Sequence, residues 1–136
     1  MASFPSEAEK AKAVALKDEG NELLKNGKYA LAAEKYSEAI EIAPNAIFYS
    51  NRAQALIKLE SFGLAIMDAN EAIKCDPNYL KAYYRRGSAN FALGKPKAAL
   101  KDFRAVAAIA PKDKGALEKM KACQKEVRRE AFENAI

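Results

Sequence analysis

An all-α fold is predicted: three two-helix units in tandem, closed by one long C-terminal helix. Three observations predict it. First, Pro44, Pro77 and Pro111 stand 33 and 34 residues apart, and a fixed period near 34 is the mark of a helical repeat array. Second, small residues recur at fixed distances before each proline: Ala32, Ala65 and Ala99, then Gly20, Ala53 and Gly87. Third, the chain is rich in Ala, Leu, Lys and Glu, with 6 Gly and 5 Pro in 136 residues, a composition that favours helix throughout.

Each element follows in order. Residues 1–12 are expected to be a lead-in. In the first unit (about 13–45), "AVALKDEGNELLKNG" carries apolar residues at three- and four-residue spacing and stops near Gly27. "KYALAAEKYSEAIEIAP" supplies its second helix, ended by Pro44. The second unit (46–79) places helices near 46–59 and 62–75, and "CDPN" ends it. The third (80–113) places them near 79–93 and 96–109. Small residues at fixed positions let paired helices approach closely, and the large ones, such as Tyr36 and Phe103, fill the remaining gap. Ala69 stands where the other two units carry those rings. Residues 114–136 read as one amphipathic helix with Leu117, Met120, Cys123 and Val127 on a stripe and Phe132 near its end, covering the last apolar face of the array.

Composition excludes several functions. With no histidine, the chain holds no His-based triad, His acid–base pair or His metal site. "GNELLKNGK" lacks the spacing of a phosphate-binding loop, and the acidic residues are scattered at helix-surface spacing. The expectation is a non-catalytic chain without a cofactor or metal. The N-terminal residues lack a signal peptide's apolar run, and no stretch approaches the roughly 20 apolar residues of a membrane span. Cys75 and Cys123 are expected to be structural thiols. Net charge is +5, and it is uneven: residues 1–94 carry 12 cations and 12 acids, whereas 95–136 carry 11 and 6. Few aromatic side chains interleave with that excess to stack bases, so it reads as a solvated helix face and not a nucleic-acid surface.

"LKAYYRR", residues 80–86, places Lys81 and Arg85 four apart, on one face of a helix. Like charges at that spacing cost a few tenths of a kcal/mol. Either the face is solvated and the cost trivial, or a ligand supplies the missing negative charge. Arg52 and Arg86 turn about 100° from their neighbours Asn51 and Arg85, and Arg86 reads as an inter-helix or surface pair.

Leu16, Gly20, Leu23, Tyr29, Ala32, Tyr36, Ala39 and Pro44 together resemble the tetratricopeptide repeat. The likeness covers residues 13–113, with Leu16, Tyr49 and Tyr83 in place of the family's tryptophan and Pro96 in place of Tyr29 and Phe62. It implies a right-handed superhelix whose first helices line a concave binding face. Within that family, "KDEGN", the Asn of "NRA" and "KAYYR" resemble the carboxylate clamp that holds the Met-Glu-Glu-Val-Asp tails of heat-shock chaperones. The resemblance places Lys17, Asn21, Asn51, Lys81 and Arg85 in that clamp. Gln54 and Lys58, three and seven residues after Asn51, share its helix face and are secondary candidates for upstream peptide contacts.

"SFGLAIMDANEAI", "AALKDF" and "ACQKEVRREAFENAI" are similar to the N-terminal domain of the type 5 serine/threonine protein phosphatase family. That likeness implies a regulatory, targeting and autoinhibitory domain, cytoplasmic and nuclear, leading toward a catalytic domain that carries two metal ions. The implied partners are that domain in cis and the tail of the ninety-kilodalton chaperone, with the seventy-kilodalton one as an alternative. Immunophilins and other chaperone adaptors share the five clamp residues. A repeat scaffold for a different partner is the remaining reading.

Overall fold

A computed structural model describes residues 4–135; positions 1–3 of the lead-in and position 136 of the last helix lie outside the described residues. Seven helices follow one another: α1 Glu7–Lys25, α2 Tyr29–Ile42, α3 Ala46–Lys58, α4 Phe62–Cys75, α5 Leu80–Ala92, α6 Pro96–Ile109 and α7 Lys114–Ala135. Each packs mainly on its neighbour in sequence, while α3 also touches α5 and, more lightly, α1. The first helices of the three units, α1, α3 and α5, therefore share one face.

Helix α1 begins at Glu7, within the segment expected to be a lead-in. The cause is a capping box. Ser6 Oγ accepts from the Glu9 amide at 3.1 Å, and the Glu9 carboxylate accepts from the Ser6 amide at 2.9 Å. Those bonds hold the Glu9 carboxyl below its ordinary range.

The first helix of every unit ends in the same way. Gly27, Glu60 and Gly94 adopt φ of +77°, +60° and +74°. In each case the next amide reaches back five residues: Lys28 to Leu23, Ser61 to Leu56 and Lys95 to Asn90, at 2.8–2.9 Å. These are Schellman closures, which satisfy carbonyls left open at a helix end. Glu60 holds the left-handed conformation without glycine's freedom, at roughly 1–2 kcal/mol.

The small-against-large pattern has a direct structural cause. A Cβ on Gly20 would lie 2.6 Å from the Tyr36 ring, and one on Gly87 would lie 2.9 Å from Phe103. In the second unit both members change: Ala53 stands in the glycine's place and Ala69 in the ring's, and both are fully buried. The absent ring at Ala69 is thus matched by an added methyl on the facing helix.

Arg52 and Arg86 are inter-helix pairs. Arg52 forks onto Asp68 with two bonds of 2.7 Å, and Arg86 onto Asp102 at 2.9 and 2.8 Å. The bonds to these carboxylates raise both guanidinium pKa values.

The α7 stripe differs from the expected one. Ala116, Met120, Cys123 and Val127 face the array, with Ala116 and Cys123 fully buried. Of these, Met120 and Cys123 pack with Leu100 and Phe103, and Tyr84 meets Phe103 edge-on at 5.3 Å. Leu117 is 38% exposed because it lies about 100° off that stripe. Phe132 is 68% exposed because α7, with 22 residues, outruns the 14-residue α6 by about 12 Å at 1.5 Å per residue. Cys123 is structural as expected, whereas Cys75 is exposed, since it closes α4 at the rim of the second unit.

Candidate functional site: a row of cations and amides on α1, α3 and α5

Lys17 and Asn21 stand one turn apart on α1, Asn51 lies on α3, and Lys81 and Arg85 stand one turn apart on α5. All five positions belong to the three helices that share a face. Two of them meet directly: Asn51 Nδ2 donates to Asn21 Oδ1 at 3.2 Å. The same Asn21 oxygen accepts from the Tyr36 hydroxyl at 2.6 Å. Both lone pairs of that oxygen are used, so the Asn21 amide nitrogen is the end left for a ligand.

The cations are disposed differently. Lys17 Nζ lies 3.2 Å from Asp18 Oδ1, its own neighbour. Lys81 is exposed. Arg85 is only partly exposed, lies with its guanidinium 6.0 Å from the Tyr84 ring centre, and has a buried Nε without a hydrogen-bond partner. Burial lowers its pKa, opposed by Tyr84 and Tyr79. Among the described residues no carboxylate pairs with Arg85, whereas Arg52 and Arg86 each hold one. No hydrogen bond joins Lys17, Lys81 or Arg85 to the amide pair among the described residues.

Gln54 and Lys58 lie on α3 beyond Asn51, Gln54 partly exposed and Lys58 exposed. Two further residues belong to the site that the expected set lacks, Tyr36 and Asp18. For Tyr36 the available signal was a hydroxylated ring where the third unit carries Phe103. Burial pushes its phenol up to about 12, so it is a neutral donor at physiological pH. For Asp18 the signal was only its adjacency to Lys17.

Elsewhere, a groove of about 610 Å³ is lined by Tyr49, Arg52, Asp68, Asn70, Glu71 and Arg86, among others. Its arginines are already held by Asp68 and Asp102, so it offers little free positive charge. Among the described residues no cluster of His, Cys, Asp or Glu is arranged to hold a metal ion, and no helix is long and apolar enough to cross a membrane.

Two family models, each describing the tetratricopeptide repeat, match residues 17–79 and 80–113. The chain belongs to the tetratricopeptide repeat family. It is also 44% identical to serine/threonine-protein phosphatase 5 of Rattus norvegicus over 133 residues, covering 97% of this chain and 27% of that protein. The chain thus spans about a quarter of the length of the curated relatives it matches. Among solved structures, the first TPR of Spaghetti (RPAP3) bound to HSP90 peptide SRMEEVD superposes with a TM-score of 0.88 at 33% identity, covering 93% of this chain and 99% of that one. The second TPR domain of human RPAP3 in complex with HSP70 peptide SGPTIEEVD gives 0.80 at 36% identity, covering 85% and 98%.

Proposed function

We propose that the face formed by α1, α3 and α5 binds the acidic C-terminal tail of a heat-shock chaperone, ending in Met-Glu-Glu-Val-Asp, through its terminal carboxylates. The carrying observation is Arg85: a partly buried guanidinium with an unpartnered Nε and no acid of its own among the described residues, on α5, which packs against the α3 that carries Asn51. Lys17, Lys81 and Arg85 supply charge, and Asn21 and Asn51 supply N–H donors. Charge-assisted bonds of this kind are the strong ones, and carboxylates match both donor types. Gln54 and Lys58 extend the face toward upstream acidic residues of the peptide. The chaperone-peptide complexes of the two structural relatives support the ninety-kilodalton chaperone as partner and the seventy-kilodalton one as the alternative.

The parent protein is, on this reading, a serine/threonine protein phosphatase of the cytoplasm and nucleus, in which this chain is the targeting and autoinhibitory domain. The 44% identity over 97% of the chain supports this. The two catalytic metal ions would belong to the phosphatase domain.

Calorimetric titration with the free-acid tail peptide and its C-terminally amidated twin tests the proposal. The free acid should bind and the amide should not. Arg85→Ala should remain folded and lose about 1.5–3 kcal/mol of binding, the worth of hydrogen bonds to charged groups. Equal binding of both peptides, or unchanged affinity of a folded Arg85→Ala chain, would overturn the clamp.

A further inference from the structure

We infer that Tyr36 is a positioning residue for the carboxylate site: its phenol sets the amide of Asn21, and through the shared oxygen that of Asn51, so that both turn N–H donors to the groove. The inference rests on the tail-binding reading above and deepens it.

The ring of Tyr36 is fully buried and sits in a notch made by Gly20, where a Cβ would be 2.6 Å from its Cε1. Held there, its hydroxyl lies 2.6 Å from Asn21 Oδ1, close to the usual separation for an O–H···O bond. A phenol has one proton to donate. A reversed Asn21 amide would bring an NH2 donor against that hydroxyl and take away Oδ1, the acceptor the phenol proton uses. A buried donor without an acceptor carries the full desolvation penalty. The phenol therefore selects the orientation with Oδ1 inward and Nδ2 outward. Asn51 Nδ2, at 3.2 Å, reads the same inward oxygen and is fixed by it.

The other units separate this role from packing. Phe103 fills the equivalent notch against Gly87 with no hydroxyl, and Ala69 fills none. The fold thus accepts a phenylalanine opposite a glycine. The only one of the three positions with a hydroxyl is the one beneath Asn21.

The test is Tyr36→Phe in the full 136-residue chain, read in three ways. Binding of the free-acid tail peptide should weaken roughly five- to tenfold, about the worth of one hydrogen bond. A chain carrying both Asn21→Ala and Tyr36→Phe should bind no more weakly than Asn21→Ala alone. The Asn21 side-chain amide resonances should change from one fixed pair to an exchanging set, with the helical circular dichroism kept. If the parent binds the free acid and Tyr36→Phe binds it equally well, the positioning role is overturned while the tail reading stands. If the parent binds neither peptide, the tail reading falls, and Asn21 resonances unmoved by Tyr36→Phe would overturn the positioning role as well. A Tyr36→Phe chain that does not fold would also overturn it, by assigning the hydroxyl to stability.

Discussion

At the scale of single residues, the closest approach between α1 and α2 decides both packing and the site. A methyl on Gly20 would press on Tyr36 Cε1 at 2.6 Å and Cδ1 at 2.9 Å, and the ring cannot yield easily because its hydroxyl is bonded to Asn21. Gly20→Ala gains about 1 kcal/mol of helix propensity but incurs an overpacking cost of about 1–3 kcal/mol. The steric cost should exceed the propensity gain, and thermal denaturation should show a net loss of up to about 2 kcal/mol. Gly63→Ala is the control. It lies in α4 with nothing within 4 Å of a new Cβ, so the propensity gain should stand alone and raise the melting temperature. Matched shifts for the two variants would contradict the steric account. Lys17, Asn21, Asn51, Lys81 and Arg85 were named in the sequence from a family resemblance, and among them the structure shows one direct contact, the Asn21–Asn51 bond. The Tyr36–Asn21 bond was not legible there, since it depends on how deeply one ring enters one notch. Nor was the partnership of Lys17 with Asp18, a matter of rotamer choice.

At the scale of elements, an ion pair sixteen residues apart ties the two helices of each unit. Arg52–Asp68 and Arg86–Asp102 share one polarity, while Glu19–Lys35 reverses it at 3.3 Å. The register is kept and the sign is not, which fits a requirement for attraction across the helix pair. The consequences of breaking each pair differ with burial. Asp102 is 4% exposed, and its loss would leave the Arg86 guanidinium against the core without its anion. Asp102→Ala should cost about 3 kcal/mol, the lower end for a broken buried pair, because Arg86 keeps some contact with water. Glu19→Ala should cost less than about 1 kcal/mol, since both members of that pair face solvent. Urea denaturation distinguishes the two, and equal costs would contradict this ranking. The helix boundaries of α3 to α6 were readable from proline, glycine and periodicity. The start of α1 was hidden because "SEAE" carries its signal in a local capping box that has no apolar periodicity to announce it.

At the scale of the whole molecule, α7 closes the array but does only part of what its length suggests. Leu100 and Phe103 are almost fully buried, and from α7 Cys123 and Met120 pack in the same cluster with them. Beyond Val127 the residues are mostly exposed, although Arg129 and Glu130 still line a small pocket with Phe91, Gly94 and Pro96. The sequence showed that a capping helix was needed but not where its work would stop, because that depends on the length of α6 beneath it. Two truncations separate the halves. A chain ending at Asp113 uncovers Leu100 and Phe103, each worth about 1.5–3 kcal/mol when fully buried, and should melt at a markedly lower temperature or lose its cooperative transition. A chain ending at Val127 leaves that cover in place and should stay within about 1 kcal/mol of the parent, as expected for changes at mostly exposed positions. Because none of the five clamp positions lies on α7, the chain ending at Val127 should also bind the free-acid tail peptide with the parent's affinity. Circular-dichroism melts and calorimetry on the same two preparations check both statements. A Val127-terminated chain as unstable as the Asp113-terminated one would mean that the overhanging turns hold the array from outside the contacts seen on α6.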